Sequence, residues 1–229
     1  MVNESEITHI MNTWFYVDGA WHVNAQGLVD VQGYCDLKPH PDGAWPEIPV
    51  QFGHVTGEFK ASGVGLRSLK NSPRHVYDFT VTNNKLQSLA HAPDQIDGEL
   101  DASHNPLLTE LSCAHTHVMG DLVLTACGLV SLKDSPQGMK EIWVELNPRL
   151  TELKHMPECE ALWISYHPDL ALLPALKAQA LFLRDMDRLL ADRKVLRQIM
   201  KKYQGQGKKA MLNCALELKQ AGFGRNARW

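Results

Sequence analysis

Glu58, Asp78, Glu99, Asp121 and Glu141 stand 20, 21, 22 and 20 residues apart along this chain. A general acid–base pair needs two carboxylates in one site. Five in series suit a different task, an extended negative field that attracts and steers a basic partner. Two residues beyond each acid the same spacing runs through Lys60, Thr80, Asp101, Val123 and Trp143, then continues to Trp163 and Phe182. Large aromatics of this kind, with Tyr166 close in sequence, are the residues that dominate interaction hot spots. Other motifs carry less chemistry. Gly205-Gln206-Gly207-Lys208-Lys209-Ala210 lacks the leading glycine and the Ser/Thr after lysine that a phosphate loop requires. Cys113, His115 and His117 are metal-ligating types with no fourth ligand in view. No Ser-His-Asp or Cys-His set can be assembled. The sequence therefore predicts a non-enzymatic protein with no cofactor and no metal.

The elements that must position these residues are written in a repeat. Between Val55 and Pro174 the chain six times runs apolar, two spacers, apolar, spacer, apolar, two spacers, an Asn-like residue, spacer, Leu, two spacers, Leu, and usually a Pro. One copy is Val76, Phe79, Val81, Asn84, Leu86, Leu89, Pro93; another is Met139, Ile142, Val144, Asn147, Leu150, Leu153, Pro157. A period near 21 residues predicts a solenoid. Side chains alternate along a strand, so the spacers flanking the core positions face outward. Glu58, Asp78, Glu99, Asp121 and Glu141 then form one column, and Asp101, Trp143, Trp163 and Phe182 belong to a second. The Asn-like position reads Val64, Asn84, Asn105, Cys127, Asn147, His167. Where proline follows it, the next leucine arrives one residue late, which predicts a local bulge.

This pattern resembles the leucine-rich-repeat family, and its short period and closing prolines are most similar to the bacterial short-repeat type. The resemblance implies a parallel sheet on a concave face, and an Asn or Cys that hydrogen-bonds backbone between neighbouring turns. Short arrays of this flavour with a helical tail are also similar to repeat proteins encoded by bacteriophages. That likeness implies a host-directed factor, such as an inhibitor of a host defence or nucleic-acid enzyme.

Flanking segments differ from the array. Residues 1–54 are rich in aromatics, Gly and Pro, and Trp14–Val17 and Trp21–Val23 suggest a hairpin at Asp18-Gly19. Val31–Tyr34 with Ile48-Pro49 suggests a degenerate first repeat. Residues 184–229 read as two helices, about 187–203 and 208–220, with Gly205 and Gly207 between them and Gly222 as a C-cap. Charge divides at the same place: residues 1–183 carry 22 acidic and 11 basic groups, and 184–229 carry 4 and 12. Arg193, Lys194, Arg197, Lys201, Lys202, Lys208 and Lys209 give a second reading, contact with nucleic-acid phosphates. The acidic start MVNESEITHI lacks a signal-peptide pattern, and no apolar run is long enough to span a bilayer, so a cytoplasmic location is expected. Five cysteines without framework spacing predict free thiols.

The expected architecture is an α/β solenoid: a β-rich N-terminal cap over 1–54, a leucine-rich-repeat array over 55–183, and a basic helical C-terminal cap over 184–229. The expected activity is capture of a basic protein through Glu58, Asp78, Glu99, Asp101, Asp121, Glu141, Trp143, Trp163, Tyr166 and Phe182. A homodimer through the aromatic patch or the Trp229 end is a further expectation.

Overall fold

A computed structural model describes residues 3–184 and 192–229, with the side chains of all but 192, 193, 208 and 209. The chain forms a β-solenoid around one eleven-stranded sheet. Its path begins with α1 (Glu4–Trp14), β1 (Phe15–Val23), β2 (Val29–Leu37), β3 (Phe52–Lys60) and β4 (His75–Thr80). Short strands follow: β5 (Gln95–Ile96), β6 (Leu100–Asp101), β7 (His117–Val118) and β8 (Leu122–Val123). It ends with β9 (Glu141–Val144), β10 (Ala161–Ser165), β11 (Ala180–Arg184), α2 (Asp192–Tyr203) and α3 (Gly207–Gln220). The sheet order is β1-β2-β3-β4-β6-β8-β9-β10-β11, with β5 beside β4 and β7 beside β5. Among the described residues only β1 and β2 pair antiparallel; the other pairings are parallel.

Every repeat leucine in the array is buried, and the paired core positions stack turn upon turn. Phe59 stacks on Phe79 at 5.7 Å, and Phe52 and Phe15 extend this aromatic core toward the first turn. The Asn ladder closes each turn on its neighbour. Asn105 Nδ2 donates to Val81 O and Ala102 O, and its Oδ1 accepts from Leu86 N at 3.1 Å. Asn84 does the same with Ala61 O, Val81 O and Leu66 N. Cys127 substitutes a weaker donor, its Sγ lying 3.4 Å from Ala102 O. The extra residue after Asn105, Asn147 and His167 is taken up by a turn, with Leu108, Leu150 and Leu170 N–H groups donating back to those carbonyls. Just before the ladder the backbone turns left-handed at Gly63, Asn83, His104, Ala126 and Leu146. This conformation costs a residue bearing a Cβ about 1–2 kcal/mol.

The N-terminal segment holds the two strands β1 and β2 and opens with a helix that was not expected. Asn3 caps α1 by accepting from Glu6 N at 2.9 Å, Glu4 and Glu6 complement the helix dipole, and Ile7 and Met11 are buried one turn apart. The hairpin turn is not at Asp18-Gly19. It lies at Asn24–Leu28, where Asn24 Oδ1 accepts from Gln26 and Leu28. Gly19 sits mid-strand opposite Gly33, and a Cβ there would collide with Gln32 O. Its glycine serves close backbone approach rather than a turn. The suggested first repeat is present: β2 pairs in parallel with β3, and Ile48 is in the core.

At the other end, α2 is described from Asp192, so the expected start near 187 lies outside the described residues. Gly205, with φ +71°, separates the helices, and Gly207 opens α3. Gly222 N donates to Lys219 O and Phe223 N to Leu218 O, a Schellman closure of α3. The final segment returns to the last turn of the array. Asn226 Nδ2 donates to His167 O, Pro168 O and Leu170 O, and Asn226 O accepts from Leu172 N. Among the described residues no helix is long and apolar enough to cross a membrane.

Candidate functional site

The strand register aligns the outward spacers into the two columns that superposing the repeats predicts. Glu58 pairs with Asp78 across β3 and β4. Core neighbours Phe79, Leu100, Leu122 and Ile142 are mutual partners, which places Asp78, Glu99, Asp121 and Glu141 in line; Glu141 then meets Ala161, and Ala161 meets Ala180. The second column is Lys60, Thr80, Asp101, Val123, Trp143, Trp163 and Phe182. Adjacent members sit one strand spacing apart, about 4.8 Å.

Backbone geometry holds the acids in place. Pairing is interrupted just before three of the carboxylates: the β3–β4 register shifts between Val55 and Glu58, and Asp97–Glu99 and Met119–Asp121 separate β5 from β6 and β7 from β8. The interruption frees a backbone N–H. Asp78 Oδ1 accepts from Glu99 N at 2.7 Å, and Asp121 Oδ1 accepts from Glu141 N at 3.2 Å. Gly98 leaves room for the first of these, since a Cβ there would run into Asp78 Oδ1. Among the described residues no cation pairs with Glu58, Asp78, Glu99, Asp101, Asp121 or Glu141. Burial, then the charges of Asp101, Asp121, Asp78 and Glu58, pushes Glu99 above the usual carboxylate range. Burial and Glu141 do the same for Asp121, against the Glu141 N–H and Lys140. Tyr34, adjoining this face on β2, is raised by burial and by Asp36.

The aromatic members stack. Trp143 and Trp163 lie 4.3 Å apart at 9°, and Trp163 and Phe182 lie 3.8 Å apart at 9°. Trp163 Nε1 donates to Glu141 Oε2 at 3.0 Å, joining the two columns. Both tryptophans stay partly exposed, and Phe182 is 42% exposed on the last strand. Tyr166 is not part of this row. It packs against the core, and its hydroxyl lies 3.4 Å from Asn226 Oδ1, toward the C-terminal segment. A cleft of about 700 Å³ separates Phe182 from Met200 and Lys201 of α2.

Two further rows were not read from the sequence. One lies beyond the aromatic column: Ser62, Thr82, Ser103, Thr125, Glu145, Ser165 and Arg184. Thr82 donates to Ser62 Oγ at 3.0 Å, and the buried Glu145 lies 2.9 Å from the Arg184 guanidinium. Continuing the same registry two residues further would have found it. The other precedes the acids: His54, His75, Gln95 and His117 are strand partners in that order. His54 stacks on His75 at 4.5 Å, and His75 Nε2 meets Asp97 Oδ2 at 2.8 Å. Hydrogen bonds from Gln95 and His75 hold Asp97 below the usual carboxylate range.

The basic residues are divided. Lys194, Arg197, Lys201 and Lys202 are exposed on α2. Arg197 donates to Leu183 O at 2.6 Å, and Lys202 is paired with Glu217 at 2.7 Å. Arg193, Lys208 and Lys209 lie on α2 and α3 with side chains outside the described residues. All five cysteines are free and buried. Burial pushes Cys113 up to about 12 and Cys127, Cys159 and Cys214 up to about 11, so none is a ready nucleophile. Among the described residues no cluster of three or more His, Cys, Asp or Glu is placed to hold a metal.

The arrangement suits recognition of a positively charged, elongated surface. No family model matches the chain, and no curated protein and no solved structure matches it.

Proposed function

We propose that this protein is a non-enzymatic binding module that captures a basic protein partner on its outer sheet face. One observation carries the reading: a register-aligned column of carboxylates without cation partners among the described residues lies beside a stack of partly exposed aromatic rings, joined to it through Glu141 and Trp163. Like charges directly opposite one another on a sheet weaken it, so a role outside folding accounts for keeping them. The acids would steer the partner's approach and the rings would supply affinity. A surface built to hold a phosphate backbone is basic by necessity, which makes a nucleic-acid enzyme a fitting partner class. A phage-encoded, host-directed inhibitor is the biological form this takes. We read the scaffold as a leucine-rich-repeat array with a helical C-terminal cap, on the strength of the leucine pairs and the Asn ladder.

Affinity capture from cell lysate tests the reading when three proteins are compared: the wild type, Asp78→Lys with Glu99→Lys, and Trp163→Ala. The wild type should retain a basic protein that elutes with salt, and both variants should lose it while keeping their circular dichroism. Identical retention by all three would remove the sheet face from consideration. The alternative, phosphate binding by the basic helices, is weakened because Arg197 and Lys202 already serve internal contacts. It predicts a steep salt dependence of DNA or RNA affinity that Lys194→Glu with Lys201→Glu abolishes.

A further inference from the structure

The ring stack on the outer face is open at one end. Trp163 covers one face of Trp143. On the other side the next column member is Val123, partner of Trp143 across β8 and β9. A valine side chain stands much lower than an indole, Trp143 is partly exposed, and among the described residues no ring stacks on its second face. One strand further lies Asp101, the partner of Val123. Along the Val123 strand the same face carries Asp121 before it and Thr125 after it. By register this places Val123 between Trp143 on one side and Asp101 on the other, a slot with Asp121 at one end.

The slot is about two strand spacings wide, or roughly 9–10 Å between the Trp143 and Asp101 backbones. That leaves room for one planar group stacked on the indole, with its edge reached by a carboxylate. The acids are held ready. Asp101 Oδ1 accepts from Ser103 N at 2.9 Å, and Asp121 Oδ1 from Glu141 N. Their second oxygens have no hydrogen-bond partner among the described residues. A flat cation with several N–H donors satisfies wall, rim and charge together. Guanidinium does so better than ammonium, because it stacks on aromatic faces and presents a rigid fork of donors to carboxylates.

We infer that this slot is the point at which the outer face reads its partner, by taking one arginine side chain onto Trp143 between Asp101 and Asp121. The inference rests on the proposed capture of a basic protein and names the group recognised. Charge complementarity and the unstacked ring face together select an arginine-bearing segment over a second copy of this chain or a nucleic acid.

The test uses the full chain and three synthetic peptides alike but for one central residue: arginine, lysine or citrulline. Binding is measured by calorimetry, and the Trp143 indole N–H is followed by NMR. The arginine peptide should bind about tenfold more tightly than the lysine peptide, shift the Trp143 signal, and lose most of its affinity when citrulline replaces arginine. Val123→Trp fills the slot with a ring and should erase the preference for arginine, whereas Val123→Ala should preserve it. Trp143→Leu, which keeps an apolar strand residue, should erase it as well. If Val123→Trp keeps the wild-type preference while Asp78→Lys with Glu99→Lys abolishes binding, the slot is refuted and the face stands. If the charge reversals leave peptide binding unchanged, the reading of the face itself fails. A wild type that binds neither peptide, or both equally, also overturns the slot.

Discussion

Strands β3 to β8 and strands β9 to β11 share one sheet, one register and one core, and they are held together by different means. In the first group the outer side chains repel: Glu58, Asp78, Glu99 and Asp121 stand in line, and burial and neighbouring carboxylates drive both Glu99 (Asp101, Asp121 and Asp78) and Asp121 (Glu141) above their usual range. The backbone joints there are good. The left-handed corner is filled by Gly63, Asn83 and His104, and Asn84 and Asn105 have both ends of their amides paired, while the turn after β8, with Ala126 at the corner and Cys127 as the weaker donor, leads into the second group. In the second group the outer side chains cohere, with two stacks and an indole–carboxylate bond. The joints there are poorer. Leu146 takes the left-handed corner, and the buried Asn147 Oδ1 has no partner. Surface and joint therefore compensate along the array. Where the face is repulsive the turns are tightly tied, and where the turns are loosely tied the face binds itself.

The largest expected effect is on partner capture. Asp78→Lys with Glu99→Lys should weaken it at least about 100-fold, measured by surface plasmon resonance, mostly through a slower on-rate at low salt. Next is Trp163→Ala, which removes both stacks at once and should cost about 1–3 kcal/mol in urea unfolding, since such pairs contribute about 0.5–1.5 kcal/mol each. Equal losses from Trp163→Ala and from Thr80→Ala would erase the contrast between the two halves. Leu146→Gly should add about 1 kcal/mol by relieving the left-handed corner, while Asn83→Gly in the first half should add much less, because asparagine tolerates that conformation.

The smallest effects are on the acids themselves. Glu99→Gln should raise stability by about 0.2–1 kcal/mol, because it removes a like-charge neighbour. Glu99 and Asp121 have folded pKa values above their unfolded ones. Their stabilising contribution is complete below the ordinary carboxylate range and is lost as pH rises through the folded values. Unfolding free energy should therefore increase as pH falls through the raised folded values toward the ordinary carboxylate range. Asp97, which is depressed, acts oppositely: its contribution is lost only as pH falls below about 4. In Glu99→Gln with Asp121→Asn this gain on mild acidification should flatten, and a profile identical to the wild type would show that the column is not repulsive.

The columns were legible in the sequence because strand alternation is an exact rule and the core leucines gave the registry. Once Phe79, Leu100, Leu122 and Ile142 were superposed, the positions of Asp78, Glu99, Asp121, Glu141 and Trp143 followed. Ring stacking was not legible, since side-chain torsions decide whether neighbouring indoles stack or splay. Tyr166 was misplaced because it follows Ser165 at the end of β10, where alternation turns it toward the core and Asn226. Helix α1 had a readable signal in Asn3 with Glu6, and in Ile7, Ile10, Met11 and Trp14 at helical spacing. The glycines and aromatics beyond it spoke for strands instead. Asp18-Gly19 looked like a turn because a glycine needed for strand approach has the same letter as one needed for a turn.

The returning C-terminal segment has a consequence for how the molecule comes apart. A stack whose turns touch only their neighbours opens from its ends, and the end nearest β11 would be the first to fray. Asn226 ties itself to carbonyls of residues 167, 168 and 170 across more than 50 residues of chain. Fraying there must first reopen that long loop, so the last four residues act as a latch whose release sets the pace. Clipping Asn226–Trp229 should leave the fold in place and shorten its lifetime against proteases.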